Sequence, residues 1–349
     1  MGSSKRKRAK NNNHTNHSTD QINQEAKARE TMLLTELKKA DEKLQQIKES
    51  HGEDHPETAM GLTNLGLVYL HLHKYENALK YFNQARDIRI KHFGEDHPDF
   101  YESLSNLAYC YFELQQYQKA LSLFLRTNEF KRKLKGEINA EFAESLSMLA
   151  MCYTRSGESK KAISIYIQTK EIYKQLYGEN HPDYARTINN LAMCYHRMEE
   201  DEDAIPLFKE AVEINRKLLG ENNANFAVCL CNLAVSYSQN GQNKEAIPLL
   251  LQAKTIYENV VGSNDLLYGN CIFNLASCYV EVDQPKEGLK LILLATQIFK
   301  NQLGEYHPVY ANALRNLATC YTIIGDFPKA METFMYSEKI EQEIRKRFS

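Results

Sequence analysis

The sequence predicts an all-α protein, a solenoid of seven stacked helical hairpins. The strongest observation is a period: glycines recur 42 residues apart from Gly52 to Gly304, and tyrosines recur at the same spacing from Tyr69 to Tyr321. Apolar residues between these marks have helical spacing. The 15 Gly and 8 Pro in 349 residues are too few for the many turns of an all-β chain. An unbroken period favours one stacked array over separate globular domains.

Each 42-residue unit is predicted to be a pair of helices. In the first unit, an apolar stripe on the first helix consists of Leu62, Leu65, Gly66 and Tyr69. The second helix has its own stripe, which consists of Ala78, Leu79, Phe82, Ala85 and Ile88. Small residues recur at the Ala78 position of every unit, so the two helices of a pair can approach closely.

Glycine and proline mark where these helices stop and start. Gly52 and its repeats stand where a helix commonly ends in a left-handed residue. Proline follows four residues later in several units, where the first turn of a helix tolerates the missing N–H. These prolines are Pro56, Pro98, Pro182 and Pro308, and a histidine precedes each of them. The histidines are expected to cap the helices.

The pattern within each unit resembles the tetratricopeptide repeat, whose first helix carries Leu-Gly and Tyr and whose second helix carries Ala and Phe. The 42-residue form, with linkers such as Gly94-Glu95-Asp96-His97-Pro98, is similar to the repeats of kinesin light chain. The resemblance implies a right-handed superhelix whose first helices line a concave, peptide-binding face. It does not include the heptad coiled-coil region of kinesin light chain, because residues 24–51 can form at most one polar helix.

The chain is predicted to have three parts. Residues 1–23 are predicted to be a disordered, basic, Asn-rich tail, since they have too few apolar groups to offset the entropy of ordering. Residues 24–51 are predicted to form an amphipathic capping helix, and residues 52–349 hold the seven repeats, with the polar last helix acting as a second cap. The apolar residues of the first cap are Leu33, Leu34, Leu37, Leu44 and Ile47.

The tail contains the basic cluster Lys5-Arg6-Lys7-Arg8. Such a cluster is consistent with a solvated tail, with a nuclear import signal or with an arm that binds phosphate. Gly2 begins a sequence similar to an N-myristoylation signal, although Arg6 stands where that signal has Ser or Thr.

The cysteines and histidines form no recognisable catalytic, cofactor or metal site. Five cysteines repeat with the 42-residue period, which separates them too widely for a disulfide or a zinc site, so core packing is expected. They are Cys110, Cys152, Cys194, Cys278 and Cys320. The histidines before proline lack a partner three or four residues away. We therefore predict a non-enzymatic protein with no catalytic residues, no cofactor and no metal.

The side of each first helix opposite its packing stripe is not needed for packing within the hairpin, so it is the predicted binding surface. Helical geometry places Met60, Asn64, Leu67 and His71 on that side. Asn occupies the Asn64 position in six of the seven units, and we predict that these side chains line a peptide-binding groove: Asn64, Asn106, Asn190, Asn232, Asn274 and Asn316. A carboxamide both donates and accepts, which suits contact with a bound main chain. The alternative is that these amides bond neighbouring helices.

Other positions on the same side carry different residues in different units, and these residues predict which ligand the groove prefers. Arg155, Arg186 and Arg197 make its middle cationic, and Arg forks suit carboxylates, so an acidic segment is the expected ligand. The alternative is that these arginines pair with glutamates of neighbouring units. Apolar sub-pockets are expected from Tyr109, Phe112, Met151, Met193 and Phe273.

These features predict a non-enzymatic scaffold or adaptor that binds a protein or peptide segment in its concave groove. The alternative is a nucleic-acid-associated helical repeat that uses the basic tail, which a net charge of −2 disfavours. No integral membrane segment is predicted, because no apolar run reaches roughly 18 residues. The cysteine usage and the lack of a signal-peptide-like segment predict a cytoplasmic protein, or a nuclear one if the basic cluster acts in import. The oligomeric state is not predicted.

Overall fold

The computed structural model describes residues 31–348, which divide into two compact units, the first ending at Glu179 and the second beginning at Asn180. The predicted tail of residues 1–23, including Gly2 and the basic cluster, lies outside the described residues. The first seven residues of the predicted capping helix also lie outside them. The two units are described separately below.

Unit 1 contains one leading helix and three hairpins. The described part of the leading helix, α1, covers residues 31–51. The hairpins follow as α2 (Pro56–His71), α3 (Tyr75–Phe93), α4 (Pro98–Glu113), α5 (Tyr117–Lys135), α6 (Ala140–Arg155) and α7 (Ser159–Tyr177). Helix α1 packs on the first hairpin through Leu44, which is buried with Ala59, Leu62 and Leu65 of α2.

Unit 2 contains four hairpins. They consist of α8 (Pro182–Arg197), α9 (Asp201–Leu219), α10 (Ala224–Gln239), α11 (Asn243–Val260), α12 (Leu266–Glu281), α13 (Pro285–Leu303), α14 (Pro308–Ile323) and α15 (Phe327–Phe348). Helices α2 to α15 thus make the seven hairpins that the period predicts, and the all-α fold class is confirmed. None of the helices within residues 31–348 is long and apolar enough to cross a membrane.

The first helices begin at side-chain caps. In α2, α4, α8 and α14, the Nδ1 atom of the histidine before proline accepts a hydrogen bond from the backbone N–H two residues later, at 3.2–3.3 Å. Asn139, Asn223 and Asp265 cap the three first helices that lack this histidine. The capping role expected of the histidines is therefore confirmed, and it satisfies one of the N–H groups exposed at a helix start.

Most second helices end at glycine, but in a conformation that differs from the one predicted. Gly94 has φ 80° and ψ 179°, whereas the left-handed helical conformation has ψ near +47°. The observed combination is open almost only to glycine. The chain adopts it because the helix must pass directly into the extended residues that precede the next cap.

Small residues bring the helices of a pair into close contact, as expected. A Cβ atom on Gly66 would lie 2.6 Å from Cε1 of Phe82, so α2 and α3 approach as closely as glycine permits. The five periodic cysteines are all buried, which confirms their predicted place in the core. The core therefore lies between successive helices, and the outer side of α2 keeps exposed residues such as Met60, Asn64 and His71.

Candidate functional site

The six predicted asparagines occupy one equivalent position, the ninth residue of a first helix. Asn64 and Asn106 lie on α2 and α4 of unit 1, where Met148 takes the position on α6. The other four lie on α8, α10, α12 and α14 of unit 2 and are Asn190, Asn232, Asn274 and Asn316. All six are at least partly exposed, so this side of the first helices is accessible.

The amides of these asparagines have two kinds of surroundings. Asn232 Nδ2 donates to Asn189 Oδ1 at 3.1 Å and so bonds α10 to α8, while Asn316 Nδ2 donates to the Asn312 carbonyl at 3.0 Å. Within residues 31–348, no hydrogen bond involves the other four side chains, which are those of Asn64, Asn106, Asn190 and Asn274. Asn232 therefore matches the alternative in which the amides fix helix geometry, and four amides can still contact a ligand.

Two acidic groups on this side of unit 1, those of Glu102 and Glu113, interact with side chains of the same unit. Glu102 lies 3.3 Å from Nη2 of the buried Arg89. Burial, together with the carboxylate of Glu113, raises the pKa of Tyr109 to about 12. Arg155, at the end of α6, is exposed and makes no ion pair within the described residues. It is the one predicted groove cation in this unit.

Unit 2 carries two predicted groove cations on one helix. Arg186 and Arg197 are both exposed on α8. Arg186 Nη2 lies 2.7 Å from Asp183 Oδ1 in the first turn of the same helix. This pair leaves most of the arginine in solvent, and such exposed pairs are weak. The predicted pairing of Arg186 with a glutamate of a neighbouring unit is therefore not observed.

A cleft of about 340 Å³ lies between α8, the end of α9 and the start of α10, and we name it the α8–α10 cleft. Arg186 of α8 and Val228 of α10 lie at equivalent positions of successive hairpins and both line it. Other lining residues include Asp183, Asn189, Asn215 and Asn225. Cys229 is also present, but burial raises the pKa of its thiol to about 11, so the thiol is neutral at physiological pH.

The amides of Asn189 and Asn225 in this cleft were not among the predicted groove residues. Asn189 precedes a predicted groove residue directly, so the Asn189-Asn190 pair was the available signal. The end of α9 could not be assigned to the site from helical spacing, because its approach to α8 and α10 depends on packing.

A buried polar network joins α8, α9 and α10 at the ends of these helices that do not line the cleft. The carboxylate of Asp201, at the start of α9, lies 2.7 Å from His196 Nδ1 of α8 and accepts a hydrogen bond from Ser236 of α10. Ser236 occupies the position of the periodic cysteines, and its hydroxyl supplies the partner that the buried carboxylate needs. The carboxylate lies between histidine and serine, so the histidine cannot act as a base on the hydroxyl. The network joins three helices.

The apolar sub-pockets were predicted partly wrongly. Phe112 is buried in a core cluster with Ala108, Ala120 and Phe124, so it does not reach the groove. Its position faces the second helix of its own hairpin. Tyr109, Met151, Met193 and Phe273 are half-buried and keep some accessible surface. Within residues 31–348, no three His, Cys, Asp or Glu side chains are grouped so that they could hold a metal ion.

The repeated hairpins and the accessible side of their first helices define a class of protein, the helical-repeat interaction scaffold. The sequence profile of the tetratricopeptide repeat matches residues 37–91, 57–133, 141–217, 187–259, 225–287 and 268–338. These matches span most of the chain, which therefore belongs to the tetratricopeptide repeat family. This family is in general a non-catalytic protein-interaction fold. A comparison with curated proteins gives no significant match.

Solved structures show the same fold. A putative kinesin light chain with nearly identical TPR-like repeats from Podosopora anserina is 24% identical, with a TM-score of 0.52, and the match covers 59% of this chain and 97% of that chain. BtubC (BKLC) from P. vanneervenii is 19% identical, with a TM-score of 0.56, over 66% of this chain and 92% of that chain. The quorum sensor NprR from B. thuringiensis, in its apo form, is 13% identical, with a TM-score of 0.66, over 90% and 85%.

Proposed function

We propose that this protein is a non-enzymatic adaptor that binds a peptide segment of a partner protein along the first helices of unit 2. The observation that carries the proposal is the α8–α10 cleft, which combines amides, the Arg186–Asp183 pair and several apolar side chains in about 340 Å³. A cleft with these groups suits an extended segment, since amides can contact its main chain whatever its side chains are.

The arginines of α8 give the proposed groove its preference for an acidic segment. Arg186 lines the cleft and Arg197 is exposed on the same helix. A ligand carboxylate can compete for Arg186, because the existing pair with Asp183 is exposed to solvent and costs little to replace. Arg155 lies in unit 1, and its role in a groove stays a prediction. The resemblance to kinesin light chain supports the adaptor role, and a cytoplasmic location is proposed with it.

Binding of acidic peptides tests this function. A fluorescent library of 12-residue peptides with several Asp or Glu residues is titrated with the full chain, and the tightest binder is kept. We expect the double variant Arg186→Glu/Arg197→Glu to weaken that binder by roughly tenfold or more, because two charge pairs become repulsive. A peptide with Asn and Gln in place of Asp and Glu is expected to lose most of the same affinity.

The matched control is Lys244→Glu/Lys286→Glu. Both lysines are exposed in unit 2, away from the cleft, and the substitution changes the net charge by the same amount. The control is expected to bind nearly as tightly as the unaltered chain. Equal losses in the two double variants would mean that net charge alone acts, and no loss in either would remove the assignment to α8.

A further inference from the structure

The last hairpin has an open groove. At the equivalent position of earlier hairpins, a neighbouring helix covers the groove. This α14–α15 groove has about 540 Å³ and is lined by Arg315, Ala318, Thr319, Thr322, Met331 and Phe334, among others. Phe334 is 47% exposed, and Phe327, Met331 and Met335 beside it are 65–67% exposed. No residue within 31–348 covers this apolar surface, and Glu338 and Glu341 of α15 pair with Arg315 at its edge.

The 42-residue period identifies what normally covers this groove. The residues equivalent to Phe334 include Phe82, Phe124, Phe208, Leu250 and Ile292, and each is at most 4% exposed. In each of these cases the covering group belongs to the first helix of the next hairpin. A leucine at the tenth position of that helix packs in the same cluster, as Leu107 does with Phe82 and Leu317 does with Ile292. The groove is therefore the equivalent of a surface that, in the earlier hairpins, packs against one amphipathic helix.

The charge of Arg345 at the end of α15 indicates a further feature of the helix that would bind in this groove. At the end of α5, Lys135 pairs with Glu141 in the first turn of the covering helix α6. Arg345 is the equivalent of Lys135 on α15. It is exposed, and its ion pair with Glu341 of the same helix is 3.7 Å long. An acidic residue in the first turn of an incoming helix would complement both Arg345 and the partial positive charge of its own N-terminus.

We propose that the α14–α15 groove is a second interaction surface, which binds an amphipathic helix of a partner protein. That helix has an acidic residue in its first turn, an aromatic residue next to it and leucines at its seventh and tenth positions. The surface is distinct from the α8–α10 cleft, because other helices, α14 and α15, form it.

A peptide from the chain itself serves as the probe. Residues 98–113, which form α4, carry the required pattern as Asp99, Phe100, Leu104 and Leu107, and they cover Phe82 in unit 1. A labelled peptide of this sequence is titrated with the full chain under reducing conditions, and fluorescence polarisation measures binding. We expect saturable binding that Phe334→Asp weakens by roughly tenfold or more, as for a central contact residue. Arg345→Glu is expected to weaken it by a smaller factor that decreases with salt.

The controls separate this site from other surfaces. Leu125→Asp alters an equally exposed leucine in unit 1 and is expected to leave binding unchanged. Lys244→Glu/Lys286→Glu, which changes the net charge outside both proposed sites, is also expected to leave it unchanged, and Leu107→Asp in the peptide to abolish it. Circular dichroism confirms that each variant is folded, and Phe334→Leu, which keeps an apolar group, is expected to retain binding.

Three results would overturn the proposal. The first is the absence of saturable binding, and the second is binding that survives Phe334→Asp in a folded chain. The third is self-association in sedimentation experiments that Phe334→Asp abolishes, because the groove would then be occupied by a second copy of the chain.

Discussion

The first and last described hairpins differ in whether a further helix covers their apolar surface. At the start, α1 covers the first hairpin: Leu44 is 5% exposed, and its Cδ1 would lie 3.0 Å from a Cβ on Gly61. The outer side of α1 carries exposed polar residues such as Lys38 and Glu42. At the other end, α15 leaves Phe334 open. Phe82 has the same residue type and repeat position as Phe334 but is buried with Leu107 of α4, so a neighbouring helix, and not residue type, decides whether this position is buried.

The largest expected effect compares two equivalent phenylalanines. Phe208→Ala should lower the free energy of unfolding by about 3–5 kcal/mol, because Phe208 is fully buried and its loss leaves a cavity. Phe334→Ala should cost less than about 1 kcal/mol, because water already reaches the ring. Urea denaturation followed by far-ultraviolet circular dichroism measures both. Similar costs for the two variants would show that Phe334 is covered in solution and would remove the contrast between the ends.

A smaller effect is expected within α1. Leu44→Ala should cost about 2–4 kcal/mol, since Leu44 packs in the cluster that joins α1 to α2 and α3. Leu34→Ala on the same helix is the matched control and should change stability by less than about 0.5 kcal/mol, because Leu34 is exposed. Thermal unfolding of both variants checks the difference. If Leu44→Ala were as mild as its control, α1 would not act as a cover.

The smallest effect concerns the turn inside the last hairpin. Gly325 has φ +84°, so Gly325→Ala should cost about 1 kcal/mol, since an L-residue is strained there. Gln115 occupies the equivalent turn position between α4 and α5 with φ +58°, and this strain is already present. Gln115→Ala should therefore change stability by only a few tenths of a kcal/mol. Chemical denaturation of both variants tests the pair, and equal costs would contradict this explanation.

Sequence patterns predicted most of the fold. The 42-residue period, the histidine caps and the glycine ends all follow from local preferences, and the structure has them where they were predicted. The side of each first helix that stays accessible also followed from helical spacing, which put Asn64 opposite Leu62 and Leu65. These features depend on residues close together in the chain, and local spacing is sufficient to locate them.

The details of the candidate site could not be predicted in the same way. Asn232 and Asn190 occupy equivalent positions, yet only Asn232 is bonded, because Asn189 reaches it from the preceding first helix. Phe112 seemed to be available to the groove, but its own second helix buries it. The first contact joins residues 43 positions apart, and both depend on the distance between packed helices.

The sequence by itself determined the architecture: an all-α chain of seven tetratricopeptide hairpins whose first helices share one accessible side. The same local sequence pattern recurs in seven units, so it predicts the helices and their order strongly. Only the tertiary structure decided which equivalent positions differ, such as the bonded Asn232, the buried Phe112 and the open Phe334. The physical reason is that burial and hydrogen bonding are properties of neighbours, and a position has the same sequence pattern whether or not a helix lies against it.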